Sequence, residues 1–363
     1  MGVHELWCIK RKTKMLIENR GNPDKEIKTT VLMLEGGIGD HLLATPLLRG
    51  FRKKYPKDKW IVVVMAMHHE VYGYVDPVYN DGDHIICTNP NIDILYSMRY
   101  KSNFYTLHAK HADIIYRQNP YIQSPHRFGK YHFAEVWCKI HGFDMDTLLI
   151  DYYPTEEEDA KGKRLYETFD KPIIVIQPFG ANDPFEPLKN TNNKDWFMDR
   201  WQVIISWLVN RGYSVIQIGK AGEHVFDKVF SLVGHTDIRE TAVIMKYAAF
   251  FISIDSFLMH VAKSFNKIGI VLWGRTNPFR LGYMENYNLF KLHSCPEIFC
   301  GRPEGILFDM AHHLPHFTPW NCPHRNCMDA ITIADVCKGV GVVERNLRFD
   351  PISWKKHAIS GIL

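Results

Sequence analysis

Val31-Leu32-Met33-Leu34-Glu35-Gly36-Gly37-Ile38-Gly39-Asp40-His41-Leu42-Leu43-Ala44-Thr45-Pro46 decides the fold. Four apolar residues in a row read as a short buried strand, the glycines as a tight turn, and the residues from Leu42 onward as a helix. Gly37 and Gly39 let backbone approach a ligand closely, and the first N–H groups of the new helix suit an anion. Asp40 stands where the turn ends. A carboxylate there either caps the helix or takes a proton from a bound substrate.

Outward from that stretch, strands and helices alternate. Thr29–Leu34 reads as a strand, Leu42–Lys54 as a helix and Trp60–Met65 as a second strand. Val71–Tyr74, Ile85–Cys87 and Ile92–Tyr96 continue a short βα rhythm, and Ala134–His141 reads as a helix. Residues 1–27 form a polar, basic arm with one helix expected over Leu6–Ile17. The acidic run Glu156–Asp159 and the helix through Thr168 read as a connector. Lys171-Pro172 followed by Ile173–Ile176 opens a second set of elements. In it, helix Trp201–Asn210 leads to strand Val215–Ile218, helix Thr241–Ala248 to Phe250–Ile254, and helix Met259–Phe265 to Ile268–Trp273. Repeated units of this length predict two α/β lobes built on parallel sheets, with ligands outside the carboxyl ends of the strands, in the cleft.

Bulk properties agree. A chain of 363 residues exceeds one ordinary core, so two domains are expected. With 46% hydrophobic and 23% charged residues it reads as a soluble globular protein, and its apolar runs are strand-length, too short to span a membrane. The first 30 residues hold no apolar signal segment, and Leu6 stands where a myristoylation site needs Ser or Thr. The expectation is a cytoplasmic protein, with peripheral attachment at an inner membrane kept in view. The net charge of +4 lies wholly in the first 150 residues, around Arg49, Arg52, Lys53, Lys54, Lys57 and Lys59. A solvated helix face is the plainer reading of that cluster, an acidic partner the sharper one.

Several motifs follow in order. Gly37 to Pro46 contains Gly-Asp and Thr-Pro; Lys194-Asp195-Trp196 precedes a helix; Gly219-Lys220-Ala221-Gly222-Glu223 follows a strand. Asp255-Ser256-Phe257-Leu258-Met259-His260-Val261-Ala262 opens the next helix, and Gly274-Arg275-Thr276-Asn277-Pro278 follows the next strand. As an ordered set over residues 29–337, the chain resembles the bacterial heptosyltransferase family of GT-B glycosyltransferases. The resemblance implies two Rossmann-like lobes facing a central cleft. Residues 28–165 would form the acceptor-side lobe and 166–340 the nucleotide-sugar lobe, with residues 341–363 packing back on the first. It implies an inverting transfer from a nucleotide-diphosphate sugar, ADP-heptose leading. Asp40 would be the base. Gly37, Gly39, Lys194, Gly219, Glu223, Asp255, Ser256, His260 and Thr276 would bind the donor, Glu223 through the ribose hydroxyls. Glu35 and His41 would be neighbouring supports. One departure stands out: Phe257 replaces a glycine whose bare backbone approaches the donor phosphates in the family.

Of the eight cysteines, Cys8, Cys87, Cys138 and Cys337 are isolated and read as small buried residues. Cys295, Cys300, Cys322 and Cys327 form two Cys-x4-Cys pairs bounding an irregular insertion, 293–328. Four thiolates suit a tetrahedral Zn or Fe, and His312, His313, His316 or His324 could replace one. Disulfides are not expected in a cytoplasmic chain. Family members that glycosylate autotransporter proteins carry a cysteine-bound iron in this region, which implies a structural ion here. The acceptor stays open between lipopolysaccharide core, a protein side chain and a hydroxylated DNA base, and the oligomeric state stays open too. Two rivals remain: a sugar-nucleotide epimerase, which needs no acceptor, and an inactive metal-stapled interaction module, favoured by Phe257 and opposed by Asp40, Lys194 and His260.

Overall fold

The computed structural model describes residues 16–19, 26–34, 36–64, 68–75, 77–78, 85–97, 109–118, 130–142, 144–180, 194–295 and 325–348. It divides into two compact units, Met1–Tyr153 and Pro154–Leu363.

The first unit holds β1 (Leu16–Asn19), β2 (Thr29–Leu34), α1 (Ile38–Leu43), α2 (Thr45–Lys54), β3 (Lys59–Val64), β4 (Gly73–Val75), β5 (Ile85–Cys87), β6 (Ile94–Ser97), β7 (Ile114–Gln118) and α3 (Phe133–Ile140). Its main sheet runs β1-β7-β2-β3-β6, parallel except for β1, which pairs antiparallel with β7. The helix expected over Leu6–Ile17 therefore gives way, at Leu16 and Ile17, to a strand; the rest of that span lies outside the described residues. The single helix expected over Leu42–Lys54 is two. α1 ends at Leu43 and α2 restarts at Thr45 with Pro46 in its first turn, because proline lacks the N–H that a continuous helix would need there.

The second unit holds α4 (Glu156–Glu167), β8 (Ile173–Gln177), α5 (Met198–Asn210), β9 (Ser214–Gln217), β10 (Phe230–Ser231), α6 (Ile238–Tyr247), β11 (Phe250–Ile254), α7 (Phe257–Ser264), β12 (Gly269–Leu272), α8 (Pro278–Leu281), β13 (Tyr287–Leu289), α9 (Asn326–Asp329) and α10 (Ile333–Leu347). Its six strands are all parallel, in the order β10-β9-β8-β11-β12-β13. β8 and β11 are buried along their whole length, which is why their sequences are apolar without alternation. Trp196, Trp201, Ile204, Leu208 and Val340 share one core cluster with these strands.

Two elements depart from expectation. α4 is no mere connector: Gly162 lies so close to Val243 of α6 that a Cβ there would sit 2.9 Å from the valine Cβ. Arg239 of α6 grips Glu158, and Lys246 and Tyr247 reach Asp159 at 2.7 and 2.9 Å. α10 crosses residue 340, so residues 341–347 continue a helix of the second unit, where Glu344 accepts from Arg211 (2.6 Å) and Tyr213 (2.7 Å). Residues 349–363 lie outside the described residues.

Candidate active site

In the first unit, β2 ends in the turn Gly36-Gly37 and α1 begins. Gly36 has φ +125°, and a Cβ on it would sit 2.6 Å from Asp40 Oδ2. It is therefore Gly36, not Gly37 or Gly39, that the turn requires to be glycine; Gly37 has an ordinary φ of −81° and Gly39 lies inside α1. The Gly37 N–H donates to Asp40 Oδ2 at 2.8 Å. The carboxylate thus folds back on the start of α1 in a capping-box contact. The next residue, His41, is buried, and its position is set by Tyr72, whose hydroxyl donates to the His41 carbonyl at 2.9 Å and lies 3.3 Å from Nδ1. Burial, then the nearby His68, lower the His41 pKa to about 3, so the ring is neutral. Glu35 lies outside the described residues.

In the second unit the site residues gather at the carboxyl ends of β8, β9, β11 and β12, where ligands of parallel sheets bind. Asp255, just past β11, is buried, and its Oδ2 accepts from both Lys194 Nζ and Thr276 Oγ1 at 2.6 Å each. Burial pushes this carboxyl up, but the Lys194 ammonium and the Thr276 hydroxyl outweigh that and hold it below its usual range. Ser256 is the N-cap residue of α7, yet it makes no side-chain cap bond; its hydroxyl donates to Gln177 Oε1 at 2.6 Å. The hydroxyl protons of Ser256 and Thr276, both implied by the resemblance to bind the donor, are thus directed to Gln177 and Asp255. His260 is buried one turn into α7, with Nδ1 2.7 Å from the Tyr283 hydroxyl.

Glu223 lies over Gly219. A Cβ at Gly219 would run into Glu223 Oε2, so a larger residue there would push this carboxylate aside. Oε2 is buried with no hydrogen-bond partner among the described residues, and burial raises the Glu223 pKa, partly offset by Lys220. The loop carrying it is latched by buried Gln217, which donates to the His224 carbonyl (2.6 Å) and accepts from the Phe226 N–H (3.0 Å). Asp195 accepts from the Gly180 N–H at 2.9 Å. Burial lifts its pKa to about 7; the Gly180 bond, Arg325 and Lys194 lower it, and Glu223 raises it.

Phe257 takes the first position of α7 and is not among the positive-φ residues, so its backbone makes no demand for glycine. Cys327 belongs to the core cluster of the second unit and Cys295 packs against it, while Cys300 and Cys322 lie outside the described residues. Among the described residues no group of three or more His, Cys, Asp or Glu is placed to hold a metal. Sequence reasoning missed Gly36, Tyr72, Gln177 and Tyr283. Gly36 carries a signal in its position after the strand; the other three act on partners 23 or more residues away, and no local pattern marks them.

Residues 124–296 match the family model for glycosyltransferase family 9 (heptosyltransferase). No curated protein matches the chain. Among solved structures, a glycosyl transferase family 9 protein from Veillonella parvula DSM 2008 superposes with a TM-score of 0.60 at 17% identity, over 87% of this chain and 97% of that one. E. coli ADP-heptose lps heptosyltransferase II gives 0.56 at 14% identity, over 87% and 98%. The dodecameric iron-containing heptosyltransferase TibC in complex with ADP-D-beta-D-heptose, an E. coli protein, gives 0.62 at 17% identity, over 89% and 77%. The mixed α/β fold with parallel sheets is that of these enzymes. The heptosyltransferase resemblance is confirmed by the family match, which spans Lys194, Glu223, Asp255, His260 and Thr276 and leaves Asp40 outside it.

Proposed function

We propose that this chain, a glycosyltransferase of the heptosyltransferase family, moves a heptose from ADP-heptose to a hydroxyl acceptor with inversion. The observation that carries the reading is the paired arrangement in the second unit. Lys194 and Thr276 converge on buried Asp255 beside an α7 start without a side-chain cap, and Glu223 holds a bare carboxylate oxygen over Gly219. The leaving nucleoside diphosphate carries new negative charge, which Lys194, His260 and the α7 N–H groups would stabilise. Asp255 would hold Lys194 and Thr276 in place. Glu223 would accept the ribose hydroxyls. Asp40 would take the acceptor's proton as its oxygen bonds to the anomeric carbon and the bond to the diphosphate breaks; inversion then needs no covalent intermediate.

The acceptor we favour is a carbohydrate, the lipopolysaccharide core, or a protein. A DNA acceptor gains little from the basic cluster at residues 49–59. Arg49 is engaged by Asp146 and Asp151, Arg52 by Asp93 and Lys57 by Glu26, so half of those six cations are already paired. We place the enzyme in the cytoplasm; no helix among the described residues is long and apolar enough to cross a membrane.

Cys295, Cys300, Cys322 and Cys327 are proposed to hold a structural iron or zinc. The two described thiols suit this: Cys327 belongs to a core cluster of the second unit and Cys295 packs against that same cluster. No reaction step runs through that ion. Metal assay of the Cys295→Ser and Cys327→Ser variants tests it, with loss of bound metal in both as the expected result.

Calorimetry with ADP-, UDP-, GDP-, CDP- and dTDP-sugars tests the donor. Selective binding of the ADP-sugar, lost in Glu223→Ala, is expected. No binding of any nucleotide would favour the inactive interaction module, and a new sugar nucleotide formed from donor alone would favour the epimerase.

A further inference from the structure

His260 and His41 occupy the same place in their helices, the fourth residue of α7 and of α1, and each ring meets a tyrosine hydroxyl through Nδ1. The two contacts differ. Tyr72 gives its only hydroxyl proton to the His41 carbonyl, so the long 3.3 Å contact to His41 Nδ1 requires the ring to donate. The Tyr283 contact is shorter, 2.7 Å, well within reach of an O–H donor. A phenol is also a better donor than acceptor. Proton donation to Nδ1 leaves the other ring nitrogen, Nε2, carrying the hydrogen.

Tyr283 is fixed from several sides. It is buried, with 1% exposure, in the loop after α8. Its carbonyl accepts from Asn288 Nδ2 at 2.8 Å. Lys263, one turn beyond His260, lies over its ring at 5.5 Å and pairs with Glu285 at 2.7 Å. The charged groups around His260 are thus Asp255 with Lys194 on one side and Lys263 with Glu285 on the other.

We propose that Tyr283 is a positioning residue that fixes the tautomer of His260, presenting Nε2–H as a hydrogen-bond donor to the diphosphate of the donor nucleotide. The inference rests on the reading of His260 as a phosphate-side residue.

The test begins without ligand. Long-range nitrogen–proton correlation spectra of the full chain, with His260 assigned by its loss in His260→Gln, read the tautomer directly. Wild type is expected to show a protonated Nε2 at His260 and, as an internal contrast, a protonated Nδ1 at His41. Tyr283→Phe is expected to populate the Nδ1–H form at His260. A wild-type His260 protonated on Nδ1 alone would overturn the proposal.

ADP binding then reads the consequence. In Tyr283→Phe it should weaken about tenfold near pH 8, the worth of a hydrogen bond to a charged group. The size of the deficit should follow the fraction of the Nδ1–H form that the spectra show at His260. Weakened ADP binding in Tyr283→Phe with His260 still protonated on Nε2 alone would mean that Tyr283 only packs, and would also overturn the proposal. Failure of wild type to bind ADP would sink the functional reading while leaving the Tyr283–His260 tautomer result intact, so the two failures are distinguishable.

Discussion

At the start of α1 the N–H of the cap residue Gly37 meets Asp40 of its own chain; at the start of α7 the cap residue Ser256 turns its hydroxyl to Gln177 instead. Both helices follow a buried parallel strand and both are short. The first junction is closed by its own anion and offers a carboxylate to an incoming group. The second has no side-chain cap and holds a cation, Lys194, two bonds away through Asp255. A helix start already neutralised by a carboxylate is a poor phosphate site, whereas a start without a cap beside a lysine is a good one. One motif type thus yields a candidate base in one unit and a candidate diphosphate site in the other.

The sharpest way to break this contrast is Asp40→Ala. A general base is worth about 10²–10⁴ in rate, so transfer should fall by that factor while ADP affinity stays within a few-fold. Equal losses in turnover and ADP affinity would place Asp40 on the donor side and erase the contrast. Lys194→Ala should do the reverse. ADP affinity should fall about 10- to 100-fold. The fold should also lose about 3 kcal/mol, because Asp255 stays buried without its ammonium partner. Chemical denaturation beside calorimetry separates the two effects.

A smaller test lies in the glycine pair before α1. Gly36→Ala must carry a Cβ at φ +125° within 2.6 Å of Asp40 Oδ2, and should cost roughly 1–3 kcal/mol and displace the carboxylate. Gly37→Ala meets Asp40 Oδ2 only at 3.7 Å and should fold and transfer nearly as wild type. Thermal unfolding and turnover of the two variants check this. Equal behaviour would show that the turn does not need its left-handed glycine.

These residues also mark what the sequence made legible. β2, β3, β8 and β11 could be read because both faces are largely buried and each carries a run of at least three apolar residues. The elements carrying Lys194, Glu223, Asp255 and His260 were legible as ordered motifs. β1 was not, since its pairing with β7 is a long-range antiparallel addition to a basic arm. α10 should have been, because Thr332 and Asp335 form a capping box that is plain in the sequence. The roles of Ser256 and Thr276 were not, because a hydroxyl's partner is fixed by packing: Gln177 lies 79 residues away and Asp255 lies 21 away.

The last contrast sets the two units against each other through pH. Burial lifts the Asp195 pKa from 3.8 to about 7, so the folded state keeps a proton that the unfolded state has lost. Its contribution to stability is fully present below 3.8 and is lost as pH rises through about 7. His41 runs the other way. Its pKa falls from 6.5 to about 3, chiefly by burial, so its contribution is present above 6.5 and is lost as pH falls through about 3. Asp195→Asn should therefore gain on wild type as pH rises from about 4 to about 8, by up to a few kcal/mol. His41→Gln should gain on wild type as pH falls over the same range. Melting temperatures of each variant, taken against wild type across that range, should give slopes of opposite sign. Slopes of the same sign would mean that one of these side chains is charged in the fold, and for His41 that would place a cation beside Asp40, where a neutral ring leaves the carboxylate freer to take a proton.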